Sequence, residues 1–270
     1  MFISIITIAF AFILGACLGS FANVLAIRWH EMGTLGGRSR CPKCKTTIRA
    51  KHLVPIFSWF FLRGKCSYCG VKIHIQYPLV EFVAGSLAVI AAIRHNPFSE
   101  EFPLFAVELG LGILLLAIAV MDWRWKELPV EILTIIGVSA AVIHLFALRP
   151  WPFVLSDLGF GIWNLILAAG LGVLFFGAQW LLSRGKWLGS GDVWFGAMMG
   201  LVLGSWQLTG VAIYLSYLVG GLAAAILLLT KIIKRGGNIP FAPFLTLGLM
   251  LTFWFGPAIQ AWLTKMFFLG

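Results

Sequence analysis

Long apolar runs are the feature that most limits what this chain can fold into. A helix needs about 20 apolar residues to cross the hydrocarbon core of a bilayer, and the sequence has eight runs that approach or reach that length. They cover about 2–27, 78–94, 103–121, 129–148, 158–182, 193–206, 208–230 and 243–264. Because 60% of the residues are hydrophobic and only 11% are charged, an ordinary soluble domain is excluded. The sequence predicts an all-α polytopic membrane protein with about eight transmembrane helices.

The first apolar run carries two glycines four residues apart, Gly15 and Gly19. Small residues at this spacing let the backbones of two membrane helices approach closely. We therefore expect the first helix to pack tightly against a neighbouring helix through this face.

Positive charges are concentrated in the loops after the first, third, fifth and seventh predicted helices. The loop after the first helix alone carries Arg28 and nine further Lys or Arg residues. With eight spans these loops share one side of the membrane, and the positive-inside rule makes that side cytoplasmic. We therefore expect a multi-pass protein of the cell inner membrane whose basic loops face anionic membrane lipid. The net charge of +10 does not indicate a nucleic-acid partner, because no aromatic-basic binding pattern accompanies it.

Four cysteines form two Cys-x-x-Cys pairs in the long polar stretch after the first helix. The pairs are Cys41 with Cys44 and Cys66 with Cys69, and 21 residues separate them. Four thiolates in this pattern are typical of a tetrahedral Zn²⁺ site, and the reducing cytoplasm disfavours disulfides. The sequence predicts a small cytoplasmic zinc-binding module between helices one and two. A loop that has lost its metal, or a redox pair, is the alternative.

Two aspartates are predicted at the same depth although they are distant in sequence. Asp122 ends the third helix, and Asp192 opens the sixth directly after Gly189-Ser190-Gly191, where glycines allow a sharp bend. Two carboxylates facing each other in a partly dry site share a proton, as in aspartic proteases. A transporter gate, or two unrelated interfacial acids, is the alternative. Glu81 lies near enough to the surface to be explained by snorkelling.

Seven stretches, in this order and spacing, make the chain resemble the prepilin peptidases, the type IV leader peptidase and N-methyltransferase family. The resemblance covers nearly the whole chain. It is highly specific, because few other membrane proteins combine a double-cysteine module with a Gly-x-Gly-Asp turn. The matching stretches are Gly19-Ser20-Phe21-Ala22-Asn23-Val24, Arg38-Ser39-Arg40-Cys41-Pro42-Lys43-Cys44, Pro55-Ile56-Phe57-Ser58-Trp59 with Arg63-Gly64-Lys65-Cys66, Gln76-Tyr77-Pro78-Leu79-Val80-Glu81, the segment 122–129, Gly189-Ser190-Gly191-Asp192-Val193 and Ile239-Pro240-Phe241-Ala242-Pro243-Phe244.

The resemblance implies a membrane aspartic endopeptidase that cleaves the leader of type IV prepilins or pseudopilins at the cytoplasmic face. It makes Asp122 and Asp192 the catalytic pair and the four paired cysteines the metal ligands. It also implies methylation of the new N-terminal residue with S-adenosylmethionine. Asn23, Arg28 and Glu81 are candidates for binding this methyl donor, with helix capping or interfacial pairing as the alternative reading.

The chain departs from the family pattern at three positions. Trp194 stands where lysine is common, Val130 where a polar residue is common and Ala242 where glycine is usual, and none of these changes removes a catalytic group. The resemblance implies three parts: a first transmembrane helix (1–27), the zinc-binding, methyltransferase-associated module (28–77) and a transmembrane aspartic peptidase domain (78–270). A peptidase without methyl transfer, and a transporter that uses the aspartates as ion ligands, remain the alternative functions.

Overall fold

The computed structural model describes residues 4–31, 36–145, 158–231 and 239–268. Within these ranges the protein is helical, without a named β-strand, and a short 3₁₀ turn at Ala50–His52 accompanies the α-helices. The helices are α1 (Ile5–Glu31), α2 (Phe57–Phe61), α3 (Gln76–Arg94), α4 (Phe102–Trp125), α5 (Val130–Leu145), α6 (Leu158–Ser183), α7 (Ser190–Leu203), α8 (Trp206–Leu229) and α9 (Ala242–Phe268).

Each predicted apolar run corresponds to one of these helices, so the all-α membrane architecture is confirmed. The expected count of eight spans is not established, because only α1, α3, α4, α6 and α8 are long and apolar enough to cross a bilayer among the described residues. The apolar parts of α5, α7 and α9 are shorter. With 14 residues, α7 is only about 21 Å long against a hydrocarbon core of about 30 Å.

The chain forms two compact units, residues 1–121 and 122–270. The first unit contains α1, the cysteine-bearing loop, α2, α3 and most of α4. The second begins at Asp122 and contains α5 to α9. The sequence predicted boundaries after residues 27 and 77, which differ from the boundary between these two units. Those boundaries are based on the sequence motifs, and they remain a prediction.

In the first unit, α1 and α3 form the closest helix pair. A Cβ atom added to Gly15 would lie 2.5 Å from the carbonyl oxygen of Ala84, and one added to Gly19 would lie 2.9 Å from the Cα of Glu81. These distances are too short for any side chain larger than hydrogen, so the expected close contact through Gly15 and Gly19 is confirmed. This packing holds the cysteine-bearing loop between two rigid helix ends, at Glu31 and Gln76.

A buried ion pair lies at the opposite end of α3. The Glu108 carboxylate is only 3% exposed and lies 3.2 Å from both Arg94 Nε and His95 Nε2. A buried carboxylate is costly unless it is paired, so these two partners offset the cost of burying Glu108 in α4.

In the second unit, α7 is the central helix, and its buried side chains include Phe195 and Met199. It contacts α5, α6, α8 and α9, and its closest approach is to α6. Gly172 of α6 and Gly196 of α7 face each other with no room for a Cβ atom, and the Phe176 ring packs on Gly196. This contact fixes the start of α7, and with it Asp192, against the last turns of α6.

Candidate active site and metal centre

Asp192 lies in the first turn of α7 and is 7% exposed. Its carboxylate oxygen Oδ2 accepts a hydrogen bond of 3.0 Å from the Gly189 N–H, the residue that precedes the helix. Acidic residues in the first turn of a helix commonly accept a backbone hydrogen bond of this kind. It fixes the side chain but leaves the second carboxylate oxygen for other partners.

The glycine before Asp192 makes a contact that a larger residue would prevent. A Cβ atom on Gly191 would lie 2.7 Å from the Cβ of Leu128. Leu128 follows Asp122 in the segment between α4 and α5. Gly191 therefore lets the turn before α7 pack directly on the chain that carries the other aspartate.

Asp122 lies near the end of α4 and is also 7% exposed. Its Oδ2 atom accepts a hydrogen bond of 2.8 Å from the Ala242 N–H at the start of α9, and the Phe241 amide is a second donor. Lys126 adds a positive charge nearby. The bond uses the backbone N–H of residue 242, whose φ is not positive, so it does not require glycine at this position.

The structure brings the two predicted aspartates of the second unit into one site. The charge of Asp122 acts directly on Asp192, although 70 residues separate them in the chain. Each carboxylate is mostly shielded from solvent and is held by a backbone amide. Two acids that repel each other in this way do not both ionise easily, so one can remain protonated as a general acid while the other acts as a general base.

A polar pair that the sequence motifs did not indicate lies beside the aspartate dyad, the pair formed by Asp122 and Asp192. The Tyr217 hydroxyl of α8 donates a hydrogen bond of 2.9 Å to Gln179 Oε1 of α6, and the charge of Asp192 acts on the same phenol. The Tyr217 ring also contacts Phe241, with the ring centres 5.0 Å apart. A polar side chain within an apolar run was the signal available in the sequence, because such residues are costly in a membrane unless they have a role.

In the first unit, the four paired cysteines converge as predicted. Their sulfur atoms all lie within 4.8 Å of one another, and the Sγ atoms of Cys41 and Cys69 are 3.8 Å apart. Four sulfurs at about 2.3 Å from a tetrahedral metal would be about 3.8 Å apart. The site therefore fits a metal ion such as zinc without a large rearrangement.

The two cysteine pairs are built alike. The residue before each pair forms a β-bridge with a residue after it, Arg40 with Thr47 and Lys65 with Lys72. The residue after each second cysteine has a positive φ, 57° at Lys45 and 68° at Gly70. Each hairpin therefore turns its two thiols toward the same point.

Local hydrogen bonds also change the acidity of these thiols. Hydrogen bonds from Thr46 lower the pKa of Cys44 to about 6, and a backbone hydrogen bond from Tyr68 lowers the pKa of Cys66. Although a Val71 hydrogen bond opposes the change, burial and the neighbouring thiols raise the pKa of Cys69 to about 11. Thiolates are the form that binds metal, and a cation at the centre would favour that form for all four.

The three candidates for methyl-donor binding are engaged by the protein itself. Asn23 is 1% exposed and accepts a hydrogen bond of 3.1 Å from the Gln76 side chain. The Arg28 guanidinium donates hydrogen bonds to the carbonyls of Gly36 and Gly37. Their polar atoms are therefore used within the first unit, and a role in cofactor binding remains a prediction.

Glu81 is not a snorkelling residue, which corrects the expectation from sequence. It is 7% exposed, and its Oε2 atom accepts a hydrogen bond of 2.6 Å from the Ile56 N–H. Ile56 has φ of 63°, a strained conformation for a β-branched residue. Glu81 thus fixes a strained turn of the cysteine-bearing loop onto α3.

Comparison with known protein families agrees with these two sites. Residues 13–95 match the family described as the bacterial peptidase A24 N-terminal domain. Residues 109–229 match the type IV leader peptidase family. The first match contains the four cysteines, and the second contains both aspartates. No solved structure matches the chain significantly.

Relatives that are similar over most of their length are named as enzymes that process prepilin leaders. A prepilin leader peptidase/N-methyltransferase of Bacillus subtilis is 31% identical over 94% of this chain and 97% of its own length. One from Stutzerimonas stutzeri is 30% identical over 93% of this chain and 91% of its own length. A type 4 prepilin-like proteins leader peptide-processing enzyme of Escherichia coli is 30% identical over 87% of this chain and 88% of its own length. The resemblance expected from the sequence motifs is confirmed, and the chain belongs to the type IV leader peptidase family.

Proposed function

We propose that this protein is a membrane aspartic endopeptidase that removes the leader peptide of type IV prepilins or pseudopilins and then methylates the new N-terminal residue. The observation that carries the peptidase assignment is the pair of shielded carboxylates, Asp122 and Asp192, each held by a backbone amide and close enough to interact. The names of the relatives support the substrate class and the second activity.

In the proposed reaction, the dyad holds one proton. The ionised carboxylate takes a proton from a water molecule as the water oxygen attacks the scissile carbonyl carbon. The protonated carboxyl group donates its proton to the carbonyl oxygen, which gives a neutral tetrahedral diol. When the C–N bond breaks, the leaving nitrogen takes up a proton from the dyad and the diol returns one, so the original protonation state is restored.

The hydrogen bonds favour Asp122 as the ionised member. Two backbone amides, of Phe241 and Ala242, and the Lys126 charge act on Asp122, whereas Asp192 receives one backbone hydrogen bond from Gly189. Donors and positive charge stabilise the carboxylate form. We therefore assign Asp122 as the base that activates water and Asp192 as the acid.

Mass spectrometry of a co-expressed prepilin tests the function directly. The wild-type chain should give a shortened product carrying one added methyl group, about 14 Da heavier than the cleaved peptide alone. Asp122→Asn and Asp192→Asn should each leave the prepilin intact, because losing either partner disables an acid-base pair. Each variant keeps a side chain of the same size, so its level in the membrane serves as the folding control.

The alternatives give different spectra. A peptidase without methyl transfer would produce the shortened chain without the added mass. A transporter would leave the prepilin intact for the wild type as well, and its reconstituted vesicles would show substrate flux. An intact prepilin with a well-folded wild-type chain would overturn the proposed function.

Zinc is the proposed occupant of the cysteine centre. The four sulfurs are spaced for a tetrahedral ion, and a site made only of cysteine thiolates is closed and typical of structural zinc. Cys41, Cys44, Cys66 and Cys69 would hold it, and the ion would stabilise the loop between α1 and α3.

The methyl donor supplies an electrophilic methyl group for the new amine. Asn23, Arg28 and Glu81 are the proposed binding residues, all in the first unit, but their present partners would have to yield to a ligand. In the same spectra, Asn23→Ala should give a shortened product without the added methyl group. A fully methylated product from this variant would remove Asn23 from the proposal.

We place the protein in the inner membrane as a multi-pass chain, with the cysteine module and the dyad on the cytoplasmic side. The module is suited to anionic lipid, since residues 36–75 contain nine Lys or Arg residues and no Asp or Glu. Its short helix α2 exposes Phe57, Phe60 and Phe61, at 61%, 64% and 83%. Exposed aromatic residues beside cations are typical of a membrane-water interface, and nucleic acid is not a proposed partner.

A further inference from the structure

The pair formed by Tyr217 and Gln179 has a defined hydrogen-bond direction. Gln179 Nε2 donates to the Phe175 carbonyl of its own helix at 3.2 Å, which leaves Gln179 Oε1 to accept the Tyr217 proton at 2.9 Å. A phenol has one proton and two acceptor lone pairs. With its proton directed to Gln179, the Tyr217 oxygen is an oriented acceptor.

The Tyr217 hydroxyl, which is this acceptor, lies near the two aspartates. The Tyr217 ring packs edge-on against Phe241, with 5.0 Å between ring centres and 64° between ring planes, and Phe241 and Ala242 supply the amides that hold Asp122. The Tyr217 ring also stacks on Phe176, whose ring contacts Phe241 and packs on Gly196 of α7. Tyr217 therefore bridges the two elements that position the aspartates.

Tyr217 is also accessible, being only partly buried, whereas Phe176 is fully buried. A peptide must be extended around its scissile bond for water to attack it, so its backbone N–H and C=O groups cannot bond to one another there. In a site with little water, each such group needs a partner from the enzyme. In the proposed reaction the dyad acts on the scissile carbonyl and the attacking water, so the neighbouring N–H groups need further acceptors.

We propose that the Tyr217 hydroxyl oxygen accepts a hydrogen bond from a backbone N–H of the substrate next to the scissile bond, and that Gln179 positions Tyr217 for this task. The inference deepens the proposed function and rests on it. It assigns a substrate-binding role to two residues outside the aspartate motifs, and the group recognised is the peptide backbone, which every client prepilin shares.

The first test is kinetic and uses the full-length chain in detergent with a synthetic prepilin peptide. Tyr217→Phe keeps the ring packing but removes the acceptor, so we expect KM to rise by roughly 3- to 10-fold, as for the loss of one neutral hydrogen bond, with a smaller change in kcat. Gln179→Leu should raise KM in the same direction, and adding it to Tyr217→Phe should have little further effect. Tyr214→Phe is the matched control, because Tyr214 is on the same helix and 65% exposed.

The second test separates substrate binding from a purely structural role. A series of peptides in which single amides are replaced by esters, one position at a time, removes one N–H in each. With the wild-type chain, one ester near the scissile bond should reduce kcat/KM by roughly 3- to 10-fold, whereas Tyr217→Phe should show no further loss at that same position.

Equal losses along the whole ester series for both enzymes would overturn the proposal. So would a Tyr217→Phe variant whose kinetics equal those of the wild type. A variant that merely unfolds would lower the melting temperature and affect all esters alike. If the wild-type chain cleaves no prepilin peptide at all, the proposed function fails, which is a different outcome from the failure of this inference.

Discussion

The hydrogen bond between Asp122 and the Ala242 amide shows how one backbone group can position a side chain of the proposed catalytic pair. The donor comes from the first residue of α9 and points at a carboxylate 120 residues earlier in the chain. Proline at the first position of a helix fits the helical φ but has no N–H. Ala242→Pro therefore removes this donor, and it also places the proline ring beside the carboxylate at a fully buried position.

At the residue scale, we predict that Ala242→Pro lowers kcat for prepilin cleavage by about 10- to 100-fold. A hydrogen bond to a charged group is worth about 1.5–3 kcal/mol, and each 1.4 kcal/mol corresponds to about tenfold in rate. Ala242→Gly is the control, because it keeps the N–H and should retain the wild-type rate. Equal activity of the proline and glycine variants, measured at matched protein levels, would show that this donor does not support the dyad.

At the element scale, we expect the two cysteine hairpins to form a unit that depends on the proposed metal. The loop that carries them has one 3₁₀ turn and the five-residue α2 as its only helices among the described residues between α1 and α3. Its described side chains are largely exposed, and among residues 36–75 Cys41 is the one buried hydrophobic residue. Such a small module cannot be stabilised by burial alone.

We predict that Cys44→Ser reduces bound zinc from about one ion per chain to a small fraction of that, as a closed tetrahedral site needs all four thiolates. Amide hydrogen exchange should then accelerate in residues 38–75 and not in α1 or α3, which pack on each other through Gly15 and Gly19. Elemental analysis and exchange measured by mass spectrometry check both effects. Cys17→Ser is the control, since Cys17 is exposed on α1 and outside the cluster. An unchanged zinc content in the Cys44→Ser variant would refute the zinc assignment.

At the scale of the whole molecule, the distribution of charge predicts the orientation in the membrane. Lysines of the module, such as Lys43 and Lys65, should be labelled by a membrane-impermeant amine reagent only in inverted vesicles, because basic loops remain cytoplasmic. If all eight apolar helices cross the bilayer, Lys265 near the end of α9 should be labelled only from outside intact cells. Labelling of the module from the outside would overturn the proposed topology, and labelling of Lys265 from the inside would lower the number of spans.

Residues near the membrane surface mark where sequence reasoning was weakest. The charge and position of Glu81 predicted a side chain reaching toward water, yet it is buried because the Ile56 amide lies next to it. Likewise, Gln179 and Tyr217 are separated by 38 positions, and no local pattern relates them. Contacts of this kind depend on which helix faces pack together. In helices that are apolar on all sides, the periodicity of hydrophobic residues does not show which face is packed.

The sequence alone determined the membrane-spanning character and the cysteine centre, and it predicted the two aspartates as a pair. Each depends on local chemistry: apolar runs long enough for a bilayer, thiols at a metal-binding spacing and acids at the ends of apolar helices. Only the tertiary structure decided which backbone amides hold Asp122 and Asp192, and that Tyr217 lies beside them. Those partners come from helices that are distant in the chain, and close packing at glycines such as Gly191 and Gly196 brings them together because no side chain intervenes.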